Sequence, residues 1–158
     1  MRIGLVEPFV RAGFLLMESL LGDRPLRDTP GVRAAASTTQ QVNLVAEVEG
    51  AARGIVLYAM SLTSAQKIAS ILLHKRVDAM DDEAWAALGE LGKSISAKAN
   101  ELLSQAGEDC RMEDADVIRG VGNPLSSTAP AIVVPMTTSV GRIEIAVALR
   151  QAENREAA

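Results

Sequence analysis

Between Glu83 and Gln105, apolar positions recur at alternating steps of three and four, at Trp85, Leu88, Gly92, Ile95, Ala99 and Leu102, with Leu91 and Leu103 beside them. That period predicts an amphipathic helix with one buried stripe. Asp81 or Asp82 supplies its cap and Gly107 its stop. Glu83, Ala86, Glu90, Lys93, Ala97 and Asn100 share the opposite face. Small and charged side chains leave that face open to a partner, whereas a face meant only for water carries more long charged residues.

The rest of the chain divides by the same reading. Residues 7 to 21 form a first helix with Phe9, Phe14, Leu16 or Met17, and Leu20 or Leu21 inward, stopped by Gly22 and Pro25. Residues 23 to 36 lack periodicity and read as a mobile connection or an irregular edge strand. Val42, Leu44, Ala46 and Val48 then alternate with Asn43, Val45, Glu47 and Glu49, and a turn over Gly50 to Gly54 leads into Ile55 to Met60. This hairpin's second strand is apolar on both faces, as a central strand would be, with a helix above it and room for a partner subunit below. A helix over 63 to 74, capped by Thr63 or Ser64, turns Ile68, Ile71 and Leu72 inward. Asp116 to Arg119 is a short strand, Gly120 to Pro130 a loop, and Ile132 to Thr137 with Arg142 to Leu149 a second hairpin. The tail from Gln151 frays.

Helix plus hairpin therefore occurs at 7 to 60 and again at 83 to 149. The expected class is α+β: two pseudo-symmetric helix-plus-hairpin halves forming one antiparallel sheet with helices on one face. A single domain over residues 1–150 follows, with 151–158 as tail. With 158 residues, 48% hydrophobic and 23% charged, the chain can fill a full core. A net charge of −4 and 3% aromatic residues give neither electrostatic attraction to nucleic acid nor a stacking platform for bases.

Little conventional chemistry is on offer. Cys110 is the sole cysteine, which rules out an internal disulfide and suits a reducing compartment; its simplest role is a half-buried residue at the start of a strand. His74 is the sole histidine, near a helix end, so no triad or multi-histidine metal site is expected. Gly120-Val121-Gly122 lacks the third glycine of a dinucleotide loop, and Ser37-Thr38-Thr39 and Thr137-Thr138-Ser139 lack a nearby base. Charges at Arg2, Glu7, Arg11 and Glu18 interrupt the first apolar run, so no signal peptide is expected, and no stretch is long enough to insert in a bilayer. The expected location is cytoplasmic.

Within the third helix, Gly89-Glu90-Leu91-Gly92-Lys93-Ser94-Ile95-Ser96-Ala97 resembles the signature helix of the CheC/CheX/FliY phosphatases of bacterial chemotaxis. Glu7-Pro8-Phe9-Val10 is similar to the Asn-Pro-Phe opening helix of CheX-like proteins. Gly54-Ile55-Val56-Leu57-Tyr58-Ala59-Met60-Ser61, then Thr63-Ser64-Ala65, resembles the strand and helix before the signature; Val133-Val134-Pro135-Met136 with Gly141-Arg142-Ile143-Glu144-Ile145 resembles the closing hairpin. The resemblance implies the same pseudo-symmetric fold, a homodimer through sheet edges, and a CheY-like response regulator as partner. It implies no cofactor in this chain, a metal ion being held by the regulator. Its site would be Glu90 and the degenerate position Lys93 as catalytic residues, with Ala86, Glu90, Lys93 and Ala97 as the partner-binding face.

The departures bear on activity. The family's unit is a Glu with an Asn three residues later, commonly an Asp or Ser four before the Glu, and a Gly four after the Asn. Glu90 matches, whereas Lys93 replaces the Asn, Ala86 the Asp or Ser, and Ala97 the Gly; Asp114 and Ala115 fall where a Pro pair is expected. In the family the Asn positions the water that attacks a phosphoaspartate, while the Glu pairs with a lysine of the regulator. An amide both accepts and donates, which fixes the water's lone pair; an ammonium only donates. Losing such a group commonly costs on the order of 10² to 10⁴ in rate, by analogy with positioned proton-transfer groups.

Three readings follow. The chain is a CheX-like binder of a phosphorylated regulator with weak or absent phosphatase activity; or an active phosphatase in which Lys93 stabilises the phosphoryl group, as cationic clamps do; or a structural module in which Glu90 and Lys93 are an ordinary surface pair worth about 0.2–0.5 kcal/mol.

Overall fold

The computed structural model describes residues 3–34, 38–122 and 129–151. Residues 152–158 of the expected tail, Ser37, and residues 123–128 of the Gly-, Ser- and Pro-rich loop lie outside the described residues. The elements are α1 (Ile3–Leu21), β1 (Leu26–Arg27), β2 (Gly31–Arg33), β3 (Val42–Gly50), β4 (Ala52–Met60), α2 (Leu62–Leu73), α3 (Asp82–Gln105), β5 (Cys110–Met112), β6 (Asp116–Arg119), β7 (Ala131–Thr138) and β8 (Gly141–Gln151).

The same order, a helix, two short strands and a long hairpin, runs from α1 to β4 and again from α3 to β8, with α2 between. The strands make one antiparallel sheet in the order β1-β7-β8-β4-β3-β5, with β2 also on β7 and β6 also on β3. β4 and β8 lie side by side at its centre, from Ala52 opposite Gln151 to Met60 opposite Ile143. Each half's short strands thus pair with the other half's outer hairpin strand, which ties the halves together.

Strand alternation decides the core. Val42, Leu44 and Val48 of β3, Val56, Tyr58 and Met60 of β4, and Ile143, Ile145, Val147 and Leu149 of β8 meet the apolar faces of the helices. The opposite face holds Val45, Ile55, Leu57, Ala59, Val133, Ala146 and Ala148. The second face of β4 needs no partner subunit to bury it, since Leu57 is 1% and Ala59 0% exposed in the single chain. Glu144, pointing to that side, receives bonds from Arg33 of β2 (3.1 Å) and from Thr39 (3.1 Å).

Several expected boundaries move. α1 begins at Ile3 rather than Glu7, with Pro8 inside it. Leu5 and Val6 extend its buried stripe, and that packing outweighs the hydrogen bond Pro8 cannot donate. Residues 23–34 of the 23–36 stretch supply two edge strands, with no alternation because Leu26 and Val32 stay exposed; residues 35 and 36 lie outside the described residues. α2 is capped by Ser61, in extended conformation and accepting from Ser64 N–H, not by Thr63 or Ser64. Gly54 lies within β4, close against Ala148 of β8, and Gln151 pairs with Ala52 instead of fraying.

The helix layer is seated by one close fit. At Gly13 a Cβ would stand 2.9 Å from the Tyr58 ring and 3.1 Å from Ile145. Without one, α1 settles onto Tyr58, whose buried hydroxyl donates to the Phe9 carbonyl at 2.7 Å. Burial pushes the Tyr58 pKa far above its ordinary value, so the phenol stays a donor.

Candidate functional site on the third helix

α3 is fixed at both ends and along its back. Asp81 accepts from Ala84 N–H at 2.9 Å, and Asp82 and Glu83 add negative charge to the first turn, where the helix dipole favours it. At the far end Gly107, at φ 72°, closes a Schellman motif in which Glu108 N–H reaches the Leu103 carbonyl at 2.9 Å. Leu88, Leu91, Gly92, Ile95, Ala99 and Leu103 are buried as the period predicts, while Trp85 and Leu102 are partly buried. Arg119 of β6 stacks over Trp85, 4.4 Å from the ring centre.

The back of α3 meets the link between β5 and β6. A Cβ on Gly92 would lie 3.1 Å from both the Cβ and the carbonyl oxygen of Ala115. Ser96, buried, accepts from Ala115 N–H at 3.1 Å. Proline, which the family resemblance puts at this place, has no N–H to give. Asn100, assigned to the solvent face from its spacing, is instead half-buried: it donates to Met112 O at 2.8 Å and accepts from Met112 N–H at 2.7 Å, holding β5. Helical period cannot foresee a strand that folds back across a helix's flank.

The residues left on the outer face are those the sequence singles out. Ala86, Glu90, Lys93 and Ala97 are all exposed along one line of the helix. Lys93 Nζ lies 3.3 Å from Glu90 Oε1, with side chains 56% and 74% exposed. So open a pair is screened and adds only about 0.2–0.5 kcal/mol. Its geometry sets two opposite charges one helical turn apart, with alanines on either side that put nothing in a partner's way.

Glu90 also stands on the rim of a groove that sequence reading did not anticipate. Leu16 and Leu20 of α1, Ile71 and Leu72 of α2, and Leu91 of α3 wall a cavity of about 400 Å³, with Ser19, His74, Ser94 and Glu90 as its polar members. Ile71, expected inward, is 36% exposed at this groove. His74 ends α2 in the left-handed conformation (φ 54°, ψ 37°) that glycine or asparagine usually takes, its N–H bonded to the Ile71 carbonyl. A groove between three helices is a property of their packing, and no local pattern encodes it. Among the described residues no group of three or more His, Cys, Asp or Glu could hold a metal ion, and no helix is long and apolar enough to cross a membrane.

Two helix-plus-hairpin halves on one antiparallel sheet are the fold that the sequence resemblance implies. A family model described as "Chemotaxis phosphatase CheX" matches residues 42–137. The chain belongs to the CheX family of chemotaxis phosphatases. Among solved structures, a chemotaxis protein CheX from Desulfovibrio desulfuricans matches with TM-score 0.78 and 23% identity, covering 95% of this chain and 100% of that one. A CheC-like superfamily protein from a Shewanella species matches with TM-score 0.80 and 19% identity, covering 95% and 99%. CheX in a complex with CheY, BeF3 and Mg from Borrelia burgdorferi matches with TM-score 0.73 and 24% identity, covering 95% and 100%. At these identities the likeness is one of fold. No curated protein matches the chain.

Proposed function

We propose that the chain docks a CheY-like response regulator through the Ala86, Glu90, Lys93 and Ala97 face of α3 and hydrolyses its phosphoaspartate slowly or not at all. The observation that carries this reading is the pairing of Glu90 with Lys93 at 3.3 Å on an exposed helix face. The carboxylate is free to take a lysine of the partner, because the contact it gives up is worth little. The neighbouring ammonium has three donors and no acceptor, so it cannot orient an attacking water by accepting its proton. Around it, Ala86 and Ala97 carry no polar side-chain atom, Ser96 is buried against Ala115, and Ser94 lines the groove beside Glu90.

In the docked state the magnesium ion belongs to the regulator, and this chain contributes Glu90 as an anchor and Lys93 as a cation beside the phosphoryl group. The CheX from Borrelia burgdorferi, similar in fold, has been crystallised with CheY, which supports such docking. Calorimetric titration with a CheY-like regulator, unphosphorylated and carrying beryllofluoride and Mg²⁺, is expected to show binding that Glu90→Ala weakens by about tenfold or more, the loss of one charge-assisted contact. Wild-type affinity retained in Glu90→Ala for both forms would remove the α3 face from the account.

A further inference from the structure

Among the described residues of α3, Lys93 has one acidic neighbour, Glu90. The helix positions within three or four residues of it are Gly89, Glu90, Ser96 and Ala97; of these only Glu90 is charged, and Ser96 is already engaged with Ala115. Glu90 is likewise flanked by Ala86, Ala87 and Ser94, with Lys93 its one cation on α3. In water this isolation costs little. Under a docked partner it matters, because both charges lose their solvent together. If Glu90 turns to a cation of the partner, the Lys93 ammonium is left desolvated with three unfilled donors unless the partner brings an anion to the same spot.

Resting on the docking reading above, we propose that Lys93 exchanges Glu90 for the phosphoryl group of the docked regulator, making this face a reader that selects the phosphorylated form. A bare aspartate offers the ammonium one negative charge and two oxygens. A phosphoryl group offers close to two charges and three terminal oxygens, which match the ammonium's three donors. The family's expected asparagine would bring no charge to this comparison, so the selectivity belongs to the lysine. The same contact occupies the phosphoryl oxygens without directing a water, so the bound phosphoaspartate is not consumed.

The test compares two forms of one CheY-like regulator, with Mg²⁺ alone and with Mg²⁺ plus beryllofluoride as a stable phosphoryl mimic, by calorimetry against wild type and three variants. Wild type is expected to bind the beryllofluoride form on the order of 10- to 100-fold more tightly, the range of one charge-assisted contact in a desolvated interface. Lys93→Gln, neutral and of similar length, brings that ratio to within about threefold, by weakening the beryllofluoride form and by relieving the unpaired cation in the Mg²⁺ form. Lys93→Arg keeps the preference, and Glu90→Gln weakens both forms alike. An unchanged ratio in Lys93→Gln, or a wild type with no preference, overturns the reader while leaving docking intact. No binding of either form by a protein folded by circular dichroism overturns docking and the reader together.

Discussion

Gly89 and Gly92 stand three residues apart in α3, yet alanine is expected to move stability in different directions at the two. A Cβ built on Gly89 meets nothing within 4 Å. Gly89→Ala therefore collects the helix-propensity difference alone, about 0.8–1.0 kcal/mol of stabilisation. At Gly92 the same atom lands 3.1 Å from two atoms of Ala115, and Ala115 is held in place through its N–H by Ser96. Forcing the helix off by a few tenths of an ångström is overpacking, which costs about 1–3 kcal/mol and cancels or exceeds the propensity gain. The two variants should differ by about 1–3 kcal/mol, or roughly 2–12 °C in Tm for a chain of this size. Urea denaturation followed by far-ultraviolet circular dichroism measures the difference directly. If Gly92→Ala stabilises as much as Gly89→Ala, α3 does not rest on Ala115 and the seating of the Glu90 face is wrong.

Three other changes test the frame around the site. Tyr58→Phe removes the 2.7 Å bond to the Phe9 carbonyl and should cost about 0.5–1.5 kcal/mol in urea denaturation; no loss would mean that bond does not hold α1 to the sheet. Asn100→Ala strips both polar groups of Met112 of their side-chain partner and should cost about 1–3 kcal/mol, with faster hydrogen exchange at the Met112 amide and unchanged protection in β4 and β8. Burial raises the Glu144 pKa, but bonds from Arg33 and Thr39 and the charge of Arg142 outweigh it and hold the carboxyl below its ordinary value. A folded-state pKa lowered in this way contributes stability above the unfolded-state value, near 4.3, and loses it as pH falls through the folded-state value. Glu144→Gln should therefore lower stability at neutral pH and flatten the acid limb below about pH 4.3, a profile that urea midpoints across pH will trace.

The parts of this fold legible in the sequence are those set by local period. The α3 stripe, the exposed line through Ala86, Glu90, Lys93 and Ala97, both hairpins and the repeated helix-plus-hairpin order all follow from spacing of three and four or of two. What escaped depends on contacts distant in sequence. Pro8 reads as the beginning of a helix until Leu5 and Val6 find their places in the core. β1 and β2, two and three residues long, exist because β7 offers them an edge, and β5 lies where Asn100 pins Met112. The groove beside Glu90 needs α1, α2 and α3 together. The family itself was legible because its signature sits on a strongly periodic helix, and its altered residues stand out there as single departures.

If Lys93 stands in the seat of a water-positioning asparagine, the docking face has little or no hydrolytic power. The direct measurement is the decay of a radiolabelled phosphoaspartyl CheY-like regulator with Mg²⁺, in the presence of wild type and of Lys93→Asn. Wild type is expected to leave the decay rate within a few-fold of that of the regulator alone, and Lys93→Asn to accelerate it by about tenfold or more, part of the 10² to 10⁴ range for a positioned group. Acceleration by wild type of about 10²-fold or more, abolished in both Lys93→Asn and Lys93→Gln, would contradict the account and make Lys93 a catalytic residue.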